Sequence, residues 1–165
     1  MKPIVTSAFG ALLLLSASHA MAQNTVKTTW RCAKPLAMHS LAVGDVPNHS
    51  FTIIQGNCKS TASHPRFMED ESTYTEFQEM SGTSMSVHGR MNVTMQDGDK
   101  VYYSYEGSFP TDIAKPFTQR WRFEAGTGRY KSIRGTGDCS GKVHSDGTGE
   151  MECVGTFSIR SNTRE

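Results

Sequence analysis

The run Ser84–Met95 alternates without a break. Met85, Val87, Gly89, Met91, Val93 and Met95 fall on one side, and Ser86, His88, Arg90, Asn92 and Thr94 on the other. A helix cannot keep that pattern, because its apolar positions recur about every three to four residues; an extended strand with one apolar face keeps it naturally. Asp97-Gly98 follows and reads as a two-residue hairpin turn, with positive φ at both central residues. Lys100–Phe109 then returns as a second strand, with Val101, Tyr103, Tyr105 and Phe109 on one face. Such a pair has to bury that face against more sheet.

The rest of the chain supplies it. Thr25–Cys32 puts Val26, Trp30 and Cys32 on one face. Ser50–Lys59 separates Ile54, Gly56 and Cys58 from Phe51, Ile53 and Gln55. Ser72–Met80 is rich in Thr, Tyr and Phe and reads as a strand with mixed faces. Thr118–Ala125 sets Trp121 and Phe123 against Arg120, Arg122 and Glu124. Gly135–His144 and Gly149–Arg160 form a last pair around Asp146-Gly147, and Tyr130–Ile133 reads as a short strand or bulged segment. Ala33–Asn48 is a long connection, with a short strand over Met38–Val43. Ser60–Asp70 is a polar loop, and the run Glu69-Asp70-Glu71 reads as solvated charge. No segment has helical periodicity. Regular short strands with hairpin turns predict an all-β fold, an antiparallel up-and-down barrel of about eight strands that leaves no open sheet edge.

Ahead of these strands, Lys2, the apolar run Ala8–Ala17 and Ala20-Met21-Ala22 read as a secretory signal peptide over residues 1–22, cut after Ala22 or alternatively after Ala20. Residues 23–165 then form one domain, exported to the periplasm or the medium. No second apolar run predicts membrane insertion. Lys+Arg 17 against Asp+Glu 16 leaves no field that would draw nucleic acid. Four cysteines in an oxidising compartment predict two disulfides, and no Cys-x-x-Cys pair suggests a metal. A turn near Asp146 places Cys139 opposite Cys153, which leaves Cys32 with Cys58. Closing a barrel also allows Cys32–Cys153 with Cys58–Cys139.

Residues that could carry chemistry are few. The Gly-Thr-Gly repeats fail both nucleotide-loop templates: Gly141-Lys142 is followed by Val143 with Thr136 where the first glycine belongs, and no helix follows Gly126 or Gly135. His39, His49, His64 and His144 sit in loops or at strand ends. His88 and Arg90 share a face; in a lumen they could bind an anion or act as acid and base, but the opposite face is far more apolar, which argues for an outward pair. Asp97 and Asp99 provide too few oxygens for calcium. No catalytic residue, metal site or cofactor is assigned. The candidate lumen or ligand residues are Trp121, Phe123, Tyr103, Tyr105, Met91, His88 and Arg90.

The stretch Trp121-Arg-Phe-Glu-Ala-Gly-Thr-Gly-Arg-Tyr-Lys-Ser-Ile-Arg-Gly-Thr-Gly resembles a signature, W-x-F-x-G-G-T-G-K-x-K-G-I-K-G-x-G, of small exported bacterial proteins related to the allene oxide cyclase and dirigent barrels. Asp97-Gly-Asp-Lys-Val-Tyr-Tyr-Ser-Tyr-Glu-Gly, Asn48-His-Ser-Phe-Thr-Ile-Ile-Gln-Gly and His88-Gly89 fit the same group, with Ala125 and Ser132 standing where it has glycine. The resemblance implies an antiparallel barrel of about eight strands and transfers no catalytic residue; one fold hosts many functions. The leading reading is a barrel that binds a small apolar or amphipathic ligand. The alternatives are an isomerase or cyclase working in the lumen, and a non-catalytic structural or interaction module. No oligomeric state follows from the sequence.

Overall fold

A computed structural model describes residues 24–112 and 114–160; the leader and both cleavage positions lie outside the described residues. Nine strands follow one another: β1 Asn24–Cys32, β2 Ala37–Ala42, β3 His49–Ala62, β4 Glu69–Ser81, β5 Ser84–Met95, β6 Lys100–Pro110, β7 Phe117–Gly126, β8 Arg134–Val143 and β9 Gly149–Ser158. From β3 to β9 each strand pairs antiparallel with the next. β1 pairs along its length with β9, from Asn24↔Phe157 to Cys32↔Gly149, and its second half pairs with β3, from Trp30↔Ser60 to Cys32↔Cys58. The sheet therefore closes on itself as an eight-stranded antiparallel barrel, and β2 is an additional strand. β2 lies on the first half of β3, Ala37↔Gln55 to Ala42↔Ser50, and continues the line of β1 past the barrel end. Pro35 separates the two; Ala33 and Leu36 still donate backbone hydrogen bonds to Asn57 and Gln55 of β3 at 3.0 and 2.8 Å.

Alternation sets the inside. Val26, Thr28 and Trp30 of β1, Ile54 and Cys58 of β3, Val87, Met91, Val93 and Met95 of β5, Val101, Tyr103 and Tyr105 of β6, Trp121 and Phe123 of β7, and Met151, Cys153 and Phe157 of β9 are all buried. Their neighbours in sequence point to the outer surface and are mostly exposed or half-buried; Ser104, buried between Tyr103 and Tyr105 in sequence, is the exception.

The Asp97-Gly98 turn differs from the two-residue form expected from sequence. The Met95 amide donates to the Asp99 carbonyl and the Gly98 amide to the Met95 carbonyl, at 2.8 and 2.9 Å. Of the turn residues only Gly98 has positive φ, 86°. The loop is thus a turn ending in a left-handed glycine, a form that needs only one residue with that freedom. The Asp146-Gly147 turn repeats it, with His144 bonded to Thr148 and Gly147 to His144. Tyr130–Ile133 is not a strand. Gly128–Tyr130 forms a single 3-10 turn, and Tyr130 and Ile133 are fully buried beside the barrel end. The Asp99 carboxylate holds that corner, accepting from Thr127 Oγ1 at 3.0 Å and the Arg129 amide at 3.2 Å.

Two disulfides join facing strands. Cys139–Cys153 links β8 to β9 and Cys32–Cys58 links β1 to β3, each between directly paired positions. The alternative pairing, Cys32–Cys153, does not form: Thr28, not Cys32, lies opposite Cys153.

One barrel end is sealed. The loop between β3 and β4 folds across it, and Phe67, fully buried, packs its ring at 5.0–5.6 Å from Phe123, Tyr130 and Phe157. The polar composition of Ser60–Asp70 conceals this plug, because a single large apolar residue suffices to make it.

Candidate functional site

The other end is open. Between the first half of β3, the second half of β4 and the ends of β6, β7 and β9 lies a cavity of about 300 Å3. That is the lower end of the range found for small-molecule sites. Its walls are apolar: Met38, Ile54, Met85, Met91, Phe109, Phe117, Val143 and Met151, with the Cys32–Cys58 disulfide at one side. Phe109 and Phe117 stack at 4.2 Å near the mouth, where Lys115 and Glu150 also lie. Met38 belongs to β2, so the strand added outside the barrel contributes a residue to the cavity wall.

The polar groups inside come chiefly from β4. Tyr74, Glu76 and Gln78 occupy alternate positions and line the cavity. Glu76 is 8% exposed. Its carboxylate accepts from Gln78 Nε2 at 2.6 Å and from the Tyr105 hydroxyl at 2.9 Å. Tyr105 reaches across a strand to do so. The row Glu76↔Gly89↔Tyr105 crosses β4, β5 and β6, and the tyrosine ring lies flat over Gly89, where a Cβ would fall 2.0 Å from Cζ. Any side chain at position 89 would lift the ring and break its bond to Glu76. Tyr74 crosses Gly56 of β3 in the same way. Burial pushes the Glu76 carboxyl above its ordinary range, and the two hydrogen bonds oppose that shift. Burial, with Glu76 beside it, pushes the Tyr74 hydroxyl up to about 12. The Tyr105 hydroxyl is raised by the same causes.

A second carboxyl lies deeper, toward the sealed end. Glu69 was expected to be solvated charge and is instead 4% exposed. The register slips between Glu69 and Glu71, which turns the first residue of β4 inward. Its carboxylate accepts from Thr28 Oγ1 at 2.5 Å and from the Tyr103 hydroxyl. Burial raises it to about 7. Close by, the Trp121 indole nitrogen is buried with no hydrogen-bond partner, beside a space of about 30 Å3 that Glu69, Tyr103 and Gln119 also line. A space of that size accommodates one water.

The residues nominated from sequence divide three ways. Met91 and Tyr105 line the open cavity. Tyr103 and Trp121 lie beneath it, and Phe123 packs 5.5 Å from the Phe67 plug. His88 and Arg90 do not belong to the lumen. They stand on the outer wall, their side chains 63% and 66% exposed, His88 3.9 Å from Glu106 and Arg90 3.2 Å from Glu124. The alternation that turns Met91 inward turns both of them out. His88→Ala is accordingly expected to leave ligand uptake intact and to shift stability by no more than about 0.5 kcal/mol, measured by urea denaturation. Glu76 and Gln78 escape the sequence reading because β4 has mixed faces and gives neither an inward signal; Gln119 alternates with Trp121 and Phe123 on the inner face of β7 and escapes it only through its polarity. The Ser81–Ser84 hairpin holds the signal that finds Glu76: its register puts Glu76 opposite Gly89, on the apolar face of β5.

No protein-family model matches the sequence, and no curated protein matches it. Solved structures share the architecture. The pterocarpan synthase dirigent protein GePTS1 superposes with a TM-score of 0.52 at 13% identity, over 84% of this chain and 92% of its own. The pterocarpan synthase dirigent protein PsPTS1 does so with a TM-score of 0.50 at 12% identity, over 86% and 97%. Identities this low carry the fold and nothing of activity. This chain is an antiparallel β-barrel, sealed at one end and open at the other, and it shares that architecture with these dirigent proteins.

Proposed function

We propose that the protein is an exported barrel that binds one small apolar or amphipathic ligand in its open lumen. The observation that carries this reading is the 300 Å3 cavity, walled by methionine and aromatic side chains with a few convergent polar groups at its floor. Such a wall adapts to ligand shape, since methionine has several rotatable bonds and a polarisable sulfur. Export is supported by the apolar leader sequence and by the two disulfides, which persist in oxidising compartments.

Native mass spectrometry of protein purified from its host tests the reading. The expected result is a non-covalent small-molecule adduct on the wild type that is lost from Met85→Trp, which fills the cavity near its mouth. A wild type that carries no adduct and fails to brighten a neutral apolar fluorophore would sink it.

A further inference from the structure

We propose that the ligand is a cationic amphiphile: a protonated amine on a short apolar body, with its ammonium seated on Glu76. This rests on the lumen being a ligand site and adds the chemistry that the site selects.

The case begins with the carboxylate. A carboxylate offers about four lone-pair positions. Gln78 and Tyr105 each fill one, and both donate, so the surroundings hydrogen-bond the ionised form. What the site lacks is a counter-charge. Among the described residues every ion pair uses another carboxylate, and no Lys, Arg or His lies within 4.0 Å of Glu76. A desolvated carboxylate with no cation is costly, and the cost is relieved when a cation arrives with its own apolar surroundings.

The titratable groups facing Glu76 are Tyr74 and Tyr105, both held neutral by burial. At the mouth, Lys115 and Glu150 bring one charge of each sign, so the rim attracts neither kind of ion. The remaining wall suits an alkyl or aryl ammonium. Phe109, Phe117 and Tyr105 present aromatic rings, and Met85, Met91 and Met151 present sulfur. An anionic amphiphile would bring a second negative charge to Glu76. A neutral alcohol would gain a hydrogen bond about half as strong as the charge-assisted one.

The test is calorimetric titration of the disulfide-bonded protein with n-octylamine, n-octanol and octanoate, in mildly alkaline buffer where the amine is still protonated and a buried carboxyl ionises. Octylamine is expected to bind at least about tenfold more tightly than octanol, and octanoate most weakly of the three. Octanol or octanoate equalling octylamine would overturn the proposal while leaving the lumen a ligand site. Binding of none of the three would remove the ligand site and the proposal with it. Glu76→Gln should bring octylamine down to the affinity of octanol, and a Glu76→Gln protein that keeps the amine preference would overturn the assignment. The wild-type series decides the question even if that variant does not fold.

Discussion

Gly155→Val is expected to cost about 3–5 kcal/mol, a large part of the ~5–15 kcal/mol that stabilises an ordinary domain. Gly155 of β9 pairs directly with Gly137 of β8, and the Trp121 ring of β7 lies over both. A Cβ at 155 would stand 2.4 Å from Trp121 Cζ2, 2.4 Å from the Thr136 carbonyl oxygen and 2.7 Å from the Gly137 Cα. Two of those three atoms are backbone of the adjacent strand. They are held by the β8–β9 ladder and, two residues away, by the Cys139–Cys153 disulfide, so they cannot step aside as a side-chain tip would. Trp121→Phe in the same chain removes the indole atom and leaves the carbonyl, so it should recover only part of the loss. Val154→Ala, at the neighbouring outward position, is the control; a surface substitution there should stay within about 0.5 kcal/mol. Urea denaturation of the variants measures all three. A cost below about 1 kcal/mol for Gly155→Val would mean that the wall yields around Trp121, and the packing argument would fail.

Stability should also fall as pH rises through the range set by Glu69. In the fold this carboxyl titrates at about 7, against 4.5 for the free side chain, and burial is the cause. Between those values the folded chain holds a proton that the unfolded chain has released. The unfolded state therefore binds fewer protons, and stability declines as pH rises across that window. A shift from 4.5 to about 7 corresponds to about 3 kcal/mol, all present as a penalty above the upper value and absent below the lower one. Glu69→Gln keeps the shape and can still hydrogen-bond Thr28 and Tyr103, but it cannot ionise. The difference in unfolding free energy between this variant and the wild type should be near zero at about pH 4 and reach about 3 kcal/mol in favour of the variant at about pH 8. Taking the difference removes the parallel contribution of Glu76, which is raised in the same direction. A difference that does not grow with pH would show that Glu69 ionises at its ordinary value, in contact with water.

Local patterning accounts for most of the barrel. The alternation in β5 and β6 names its inward residues one by one, and Trp121, Phe123 and Trp30 follow the same rule. It works because a strand must place successive side chains on opposite faces, and water then sorts them. The same rule carried His88 and Arg90 outward with their strand. It says little where apolar residues fall on both faces. β4 is such a strand, with Tyr74 and Met80 on one face and Phe77 on the other. The burial of Glu69 and Glu76 therefore follows from pairing with β5 and from a register slip rather than from the alternation of β4 itself.

The sequence by itself determined that this is an all-β chain of antiparallel hairpins with an aromatic and methionine-rich interior, because strand period and turn chemistry are local properties of a few residues. Three matters were decided only by tertiary structure. Closure through β1–β3 selected Cys32–Cys58, since it sets Cys32 opposite Cys58 and not opposite Cys153. Phe67 sealed one end, by reaching rings from β7, β9 and the 3-10 turn that lie far from it in sequence. The other end stayed open, and whether a barrel is filled depends on how side chains from eight strands meet in one volume. No single strand carries that sum, which is why the open lumen could be located only in the folded chain.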